Sequence, residues 1–478
     1  MGTIQVRILT ETEIRAIHTN TMRILRDTGV MVHHTEALEL LRQAGAEVKK
    51  DKKIARLPKG LVMDSIERAG KKYVLYGRNP EQIARFGYGD FVLMSSPGQY
   101  SWIDTDSGQR RAATVHDAHE AIKLGDALGN ITIVGSMAQP EGISETWRDV
   151  FLTAELVKGT GKPTRCWVRN GKTARYILEI YRTVAGGEKA LRDKPMIEAF
   201  LEPISPLQLP TDGLDIVREF ARAGQPVSIG PMAMTSGTAP ATLAGTLSQE
   251  NAEILAGLVV TQLFAPGTPI TYGGIPHIMD PRTSICSFGS PEQGLMAVAM
   301  LQMARFYGLP VYVNVGLTDA KVPDAQAGIE KGTSLLLAAL AGADTFGHCG
   351  ICGTDHAGSL VWLYLDDALM DYVKRITRGF AVDAETLAAD VIHQVGPGGN
   401  FLAEEHTVRY FRKELWPAGP VWTRQSWDGW ADGGRSSMDD RIKEQVEQIL
   451  SEHEPEPLEA GLAKEVDAIV KAAEHELG

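Results

Sequence analysis

Within nine residues, His348-Cys349-Gly350-Ile351-Cys352-Gly353-Thr354-Asp355-His356, the chain carries two histidines, two cysteines and an aspartate. Cys-x-x-Cys beside histidines supplies soft ligands at a spacing zinc accepts. One such pair without a second is a weak ligand set, and small residues in a glycine-rich loop show the same pattern, so no bound metal is expected. His348 follows directly on a strand-like run, Gly342-Ala343-Asp344-Thr345-Phe346-Gly347, a position from which an imidazole contacts a substrate carboxylate or orders a loop. Asn314 ends another such run and has a similar claim through its amide. Glu202 ends a third, followed by Pro203-Ile204-Ser205-Pro206, a stiff turn that would hold a carboxylate over a barrel mouth. There it suits a cationic ligand, or else a buried pairing with Arg or Lys. None of the strand-like runs ends in lysine, so a Schiff-base lyase would lack its nucleophile; Lys321 lies in a loop.

These positions matter because one structural unit repeats them. A helix ends at Gly, often with Pro one residue later, and a short apolar strand then ends in Gly, Pro or a polar residue. The unit occurs at Gly129–Gly135, Gly161–Val168, Lys194–Glu202, Gly224–Gly230, Gly267–Gly273, Gly308–Asn314 and Gly342–Gly347. The seven starts lie about 30 to 43 residues apart, room for one crossover helix each, and a right-handed parallel series of this kind closes most readily into a barrel. The expected fold is α/β, a (β/α)8 TIM-type barrel whose strand C-termini share one mouth. No eighth strand is evident after Gly379, so the closing element is expected to be irregular. The rival, a doubly wound open sheet, lacks a Gly-x-Gly-x-x-Gly after its first strand.

Ahead of the repeat, Thr10-Glu11-Thr12-Glu13 reads as a capping box, opening a helix that Gly29 stops. Further helices are expected from about Thr35 to Ala44 and after Pro58. Between Lys72 and Arg111 the period changes to short β-type runs, including Phe91 to Met94, read as a small antiparallel sheet. Behind the repeat come helical segments and an aromatic-rich stretch with Trp416, Trp422, Trp427 and Trp430, expected to pack on the barrel wall. The last helices look solvated or oligomeric. The division is 1–112 for the N-terminal helices and sheet, 113–380 for the barrel and 381–478 for the C-terminal helical extension, one catalytic domain overall.

With 60 acidic against 48 basic residues the net charge is −12, and no basic run stands out, which argues against nucleic acid and an anionic membrane as partners. Four cysteines in 478 residues are too few for a disulfide framework, and the N-terminus has no signal-peptide pattern, so a cytoplasmic location is expected. No apolar run approaches the roughly 18 residues of a membrane span.

Taken in order along nearly the whole chain, Arg56-Leu57-Pro58-Lys59-Gly60-Leu61-Val62, the loop Leu317 to Gly328, and the tail Gly396-Pro397-Gly398-Gly399-Asn400-Phe401-Leu402 with Glu405 to Arg412 resemble the trimethylamine methyltransferase family. The resemblance implies a barrel enzyme that moves a methyl group from an amine to the cobalt of a separate corrinoid (cobalamin) protein, with no cofactor bound tightly to the enzyme itself. Founding members carry pyrrolysine. This chain has only standard residues and so looks like the non-pyrrolysine branch, whose members use quaternary amines: glycine betaine first, then proline betaine or carnitine. The family's pyrrolysine has no counterpart here, so catalytic residues are not carried over from it.

A quaternary nitrogen has no lone pair, its methyl is already electrophilic, and Co(I) displaces a neutral amine without a general acid. The protein's task is then to orient the methyl–nitrogen axis and hold the cation, for which aromatic faces are the expected device, each contributing about 0.5 to 2 kcal/mol. Tyr100, Trp167, Phe200, Tyr272 and Phe346 lie at or near expected strand ends and are the candidate substrate-binding residues with Asn314. Tyr272 and Trp167 are favoured as standing at the mouths of their strands, although strands hold aromatics in their walls for packing alone. His348 and Glu202 are the candidate catalytic pair. Zinc in corrinoid methyl transfer activates thiols or alcohols, which a quaternary amine does not need. The expected partners are a corrinoid protein, a small quaternary amine and further copies of the chain. The alternative is another barrel enzyme on a small polar ligand, of the carbon–carbon lyase type.

Overall fold

The structure, a computed structural model, describes residues 6–478. Eight parallel strands carry the fold: β1 (Val92–Ser95), β2 (Ile131–Gly135), β3 (Thr164–Arg165), β4 (Ala199–Leu201), β5 (Val227–Ile229), β6 (Ile270–Tyr272), β7 (Tyr312–Val313) and β8 (Thr345–Cys349). A long helix follows each: α1 (Val115–Ala127), α2 (Arg148–Gly159), α3 (Gly171–Ala185), α4 (Thr211–Arg222), α5 (Leu243–Phe264), α6 (Pro291–Tyr307), α7 (Ala325–Ala341) and α8 (Leu360–Arg378). Pairing runs β3·β2·β1·β8·β7, a Tyr272–Val311 bridge joins β6 to β7, and β6·β5·β4 continue. Neighbours in space are neighbours in sequence, and the first strand pairs with the last, which is barrel order.

The seven repeat units are β2 to β8. The eighth strand does not follow Gly379. It is β1, drawn from the Phe91–Met94 run expected in an antiparallel sheet. Its partners on both sides are parallel, Leu93 opposite Ile131 and Phe346. The rest of the expected sheet splits into two hairpins at opposite ends of the barrel.

One hairpin, Tyr73–Tyr76 against Ile83–Phe86, fills the end at the strand N-termini. Among the described residues no strand pairing joins β3 to β4, and this hairpin lies across that gap. The Tyr76 amide donates to the Pro195 carbonyl ahead of β4 (2.8 Å) and the Asn79 amide to the Gly161 carbonyl ahead of β3 (3.0 Å). Tyr73 stacks on Phe86 at 4.4 Å, and its hydroxyl donates to Glu198 (2.8 Å) and meets Thr271 (2.6 Å). Leu75 and Phe86 share an apolar cluster with Val92, Met94, Ile133 and Tyr312, which is the barrel's interior. The other hairpin, Ser101–Ile103 against Arg110–Ala112, adds to Ala357–Gly358 and Ile351–Cys352 as a four-stranded rim at the opposite end.

The larger core lies between strands and helices. Helix α5 is buried almost all round, because the N-terminal helices Glu11–Arg23, Thr35–Gln43 and Lys59–Arg68 cover its outer side; a helix with two covered sides shows no single apolar stripe. The Thr10/Glu13 capping box is formed as expected. At the far end of the chain, Met438–Glu452 docks on α8 and α1, and Ala460–Leu477 on α3 and α2, burying Ile442, Val446, Val466 and Ala473. These two helices are therefore part of the wall and not wholly solvated. Trp416 and Trp422 pack on Tyr372 of α8 at 5.3 and 5.4 Å, whereas Trp427 stays exposed beside Trp430. Among the described residues no helix is long and apolar enough to cross a membrane.

Candidate active site

Alternation along each strand decides which side chains enter the barrel. On β4, Ala199 and Leu201 face the helices while Phe200 faces inward onto the interior cluster. On β7, Tyr312 and then Asn314 face inward. On β8, Gly347 does so: a Cβ there would run into the Tyr312 ring and the Asn314 amide. Gly230, after β5, leaves room for Phe200 in the same way, since a Cβ would stand 2.7 Å from the ring edge. Strand β3 contributes Arg165 and, two residues on, Trp167.

Four rings thereby close a circuit at the strand C-termini. Trp167 and Phe200 lie 6.2 Å apart, Phe200 and Tyr312 6.0 Å, Tyr312 and His348 6.4 Å, and His348 and Trp167 6.2 Å. Successive planes are inclined by 73°, 79°, 60° and 71°, as the walls of a four-sided box would be. A flat square of that side would put its centre about 4 Å from every centroid, inside the roughly 6 Å range of a cation–π contact. Burial, helped by the charge of Arg165, pushes His348 down to about 3, so its ring is neutral at physiological pH. Burial pushes Tyr312 up to about 12, and it too stays neutral. His348 holds a positive φ of 63°, a left-handed backbone uncommon outside glycine, where the β8–β1 register shifts.

Arg165 stands against this circuit. Its guanidinium lies over Phe200 at 5.0 Å and Tyr312 at 5.1 Å, and Nη1 approaches Met94 Sδ at 3.4 Å. Arg165 Nη2, Tyr312 Oη, Asn314 Oδ1 and His348 Nε2 are buried without a hydrogen-bond partner. Asn314 Nδ2 meets His348 Nδ1 at 3.5 Å.

Trp167 also lines a cavity of about 410 Å³ that opens at the rim, with Gln99, Tyr100, Arg148 and Asp355 among its walls. The indole donates to the Gly98 carbonyl (3.1 Å) and Gln99 Nε2 to Asp355 (2.6 Å). Tyr100 is a rim residue, 64 % exposed, with the Arg148 guanidinium 5.8 Å over its ring. Burial pushes the Asp355 carboxyl up to about 6, and burial, then repulsion from Asp355, raises Glu202. The turn after Glu202 is held by Glu253 of α5, which accepts from Ser205 Oγ (2.7 Å) and the Leu207 amide (2.8 Å). Asp355 is thus an anion at pH 7 and neutral below about 6. A cationic ligand in this cavity should bind about 5-fold more weakly as pH falls from 7 to 5, the scale of a partly exposed charge pair. Asp355→Asn should remove that dependence. Affinity measured against pH in both proteins checks it, and an unchanged slope in the variant would be the contrary result.

The loops around the mouth are fastened to one another. Asp319, after β7, accepts from Ser287 Oγ (2.5 Å) and the Phe288 amide (2.9 Å) of the β6–α6 loop and from Thr354 Oγ1 (2.7 Å) of the β8–α8 loop. Beneath them Lys331 of α7, fully buried, donates to Asp366 of α8 (2.8 Å) and to the Gly316 carbonyl (2.7 Å), and Asp366 accepts from the Gly350 amide (2.8 Å). One ion pair ties the ends of β7 and β8 to their helices.

Of the residues singled out by sequence, Trp167, Phe200, Asn314 and His348 meet inside the mouth. Glu202 lies near enough to sense Asp355, and Tyr100 shares the rim cavity with Trp167. Two do not belong. Tyr272 faces outward, its hydroxyl donating to Asn251 of α5 (3.1 Å) and its ring stacked on Tyr307, because Thr271 is the residue of β6 that faces in to meet Tyr73. Phe346 likewise faces the outer core, 5.7 Å from Phe91. Among the described residues Glu202 has neither of the Arg or Lys pairings considered for it; the charge that acts on it is the acid Asp355. Cys349 and Cys352 are buried thiols whose protons burial holds on, Cys352 at about 11. Cys352 belongs to the rim hairpin that turns at Gly353-Thr354-Asp355. Among the described residues no three His, Cys, Asp or Glu side chains gather as a ligand set.

Sequence reasoning missed Arg165 and Tyr312, and considered Asp355 only as part of the Cys-x-x-Cys stretch. The available signal was spacing: Arg165 with Trp167, and Tyr312 with Asn314, stand two apart on strands, and a charged residue inside an apolar run is rarely left without a task.

The family model for trimethylamine methyltransferase (MTTB) matches residues 2–478. Trimethylamine methyltransferase MttB of Desulfitobacterium hafniense (strain DSM 10664 / DCB-2) is 32% identical, over 98% of this chain and 94% of that protein. The glycine betaine methyltransferase of Desulfitobacterium hafniense (strain Y51) is 33% identical over 98% of both. Among solved structures, the monomethylamine methyltransferase of Methanosarcina barkeri superposes with a TM-score of 0.51 at 11% identity, covering 94% of this chain and 95% of that one, a likeness of fold. Parallel strands, each followed by a helix, with an aromatic-lined mouth make this an α/β protein. The chain belongs to the trimethylamine methyltransferase family and is a methyltransferase.

Proposed function

We propose that this methyltransferase takes a methyl group from a quaternary amine, glycine betaine first and proline betaine or carnitine next, and passes it to Co(I) of a separate corrinoid protein. The observation that carries the reading is the circuit of Trp167, Phe200, Tyr312 and His348, with His348 held neutral by burial. A ring set of this spacing suits a trimethylammonium group, and a charged imidazolium would spoil it. Membership of a family that includes a glycine betaine methyltransferase supports the same substrate class.

The acceptor supplies a Co(I) nucleophile, and the departing amine leaves neutral, so no residue has to deliver a proton. The rings hold the nitrogen, His348 and Asn314 fix its orientation, and Glu202 and Asp355 favour the cation from the mouth side. Binding energy spent on aligning the methyl–nitrogen axis lowers the barrier without tightening the ground state. A Schiff-base lyase finds no support: Lys331, the fully buried lysine beside the mouth, is committed to Asp366 and the Gly316 carbonyl.

The test is methyl-Co(III) formation from Co(I) corrinoid protein with a panel of quaternary amines and trimethylamine. Trp167→Ala should raise KM by the loss of about 0.5 to 2 kcal/mol, roughly 2- to 30-fold, while Tyr272→Phe leaves the rate alone. Conversion of trimethylamine and of no quaternary amine would overturn the substrate class.

A further inference from the structure

We infer that Arg165 is the carboxylate anchor of the substrate site and makes the enzyme selective for zwitterionic quaternary amines, a proposal that rests on the quaternary-amine reading above. Arg165 is 5% exposed and forms no ion pair within 4 Å among the described residues. Two aromatic faces take part of its charge, and Glu198 senses it from below without a bond. A buried guanidinium lacking a carboxylate is costly, and a site that keeps one is built to receive an anion.

Most of the unpartnered atoms around it are donors, the Asn314 amide oxygen being the acceptor among them. If Asn314 Nδ2 donates to His348 Nδ1, the imidazole proton sits on Nε2, and Nε2 is then a donor. Arg165 Nη2 and His348 Nε2 are therefore unpartnered donors, and the Tyr312 hydroxyl, within electrostatic reach of Arg165 and Asn314, is a third that can turn its proton to a ligand, on side chains that touch in series, Arg165 over Tyr312 at 5.1 Å and Tyr312 beside His348 at 6.4 Å. Two carboxylate oxygens would use them. The carboxylate then lies deep and the trimethylammonium lies outward, towards Trp167, Glu202 and Asp355, with a methyl facing the open rim. A substrate with a cation and no carboxylate would instead meet Arg165 as a like charge, so trimethylammonium compounds without an acid are rejected.

The anchor is tested by equilibrium binding without any corrinoid protein, with glycine betaine, choline and 3,3-dimethylbutanoate as probes. The last keeps the carboxylate and replaces the charged nitrogen by carbon. Wild type should bind betaine and dimethylbutanoate and should bind choline at least 100-fold more weakly than betaine. Arg165→Gln should lose about 100-fold in affinity for betaine, lose dimethylbutanoate binding, and bind choline no worse than wild type; Arg165→Lys should recover part of the loss. Tyr312→Phe, which removes one donor and keeps the ring, should cost about 10-fold for both carboxylates and nothing for choline, and it decides the matter should the arginine variants not fold. Arg165-dependent binding of dimethylbutanoate would stand even if no quaternary amine were demethylated. Betaine affinity unchanged in Arg165→Gln, or equal losses for betaine and choline in Tyr312→Phe, would overturn the anchor while leaving the methyl-transfer reading intact.

Discussion

Gly347→Ala should lower methyl-transfer turnover by about 100-fold, the scale of a reacting group displaced by an ångström. The backbone at Gly347 is not left-handed, so the change is one of space alone. Its new methyl would collide with the Tyr312 ring and the Asn314 amide oxygen, both packed on neighbouring β7. The ring has little room to yield, being set between Arg165, Phe200 and His348. Overpacking of this kind costs about 1 to 3 kcal/mol of stability, so the fold should survive while the circuit opens. Gly332→Ala in α7, where a Cβ meets nothing within 4 Å, is the matched control, expected to leave turnover unchanged. Steady-state kcat with a thermal melt of each variant measures the effect, and an undiminished kcat in Gly347→Ala would remove Tyr312 from the site.

Lys331→Ala should destabilise the protein by about 3 to 5 kcal/mol, the usual result of stripping one partner from a buried ion pair. Lys331 and Asp366 are almost wholly shielded from water. Removing the lysine would leave Asp366 facing the Gly350 amide alone and leave the Gly316 carbonyl without its donor. Those two glycines follow β7 and β8, the strands that deliver Tyr312, Asn314 and His348. A loss of activity below the melting temperature is therefore expected alongside the loss of stability. Lys331→Met combined with Asp366→Leu should recover most of the stability, since an apolar pair avoids the desolvation cost, without restoring the hydrogen bonds to Gly316 and Gly350. Denaturant melts of the single and double variants decide between these outcomes; equal stability of Lys331→Ala and wild type would show that the pair contributes nothing.

Much of this was legible in the chain itself. The Gly-x-Pro-strand unit is local chemistry: a left-handed glycine stops a helix, as Gly308 and Gly342 do after α6 and α7, and proline starts the next run. Such signals need no distant partner, so β2 to β8 were readable, as were the capping box at Thr10 and the terminal positions of Trp167, Asn314 and His348. The role of Val92–Ser95 was not. Its residues announce a strand, yet whether a strand lies in a hairpin or joins the parallel series depends on pairing with Thr345–Cys349, and no local signal carries that.

Which face of each strand looks inward was hidden in any one run taken alone. A period of two says that neighbours face opposite sides, but when both sides are buried the apolar run is continuous and does not tell which residue looks inward. Tyr272 and Tyr312 stand five and four residues after the glycines that open their units, Gly267 and Gly308, so they fall on opposite faces, but that offset does not say which face is inside. The hydrogen bond from Tyr73 to Thr271 shows that Tyr272 turns to the helices, while glycine at 347 leaves the room that Tyr312 occupies inside. The sequence by itself determined the repeating unit, the strand ends and the kinds of side chain there. Only the tertiary structure decided which of them share one space, because that depends on register between strands far apart in the chain.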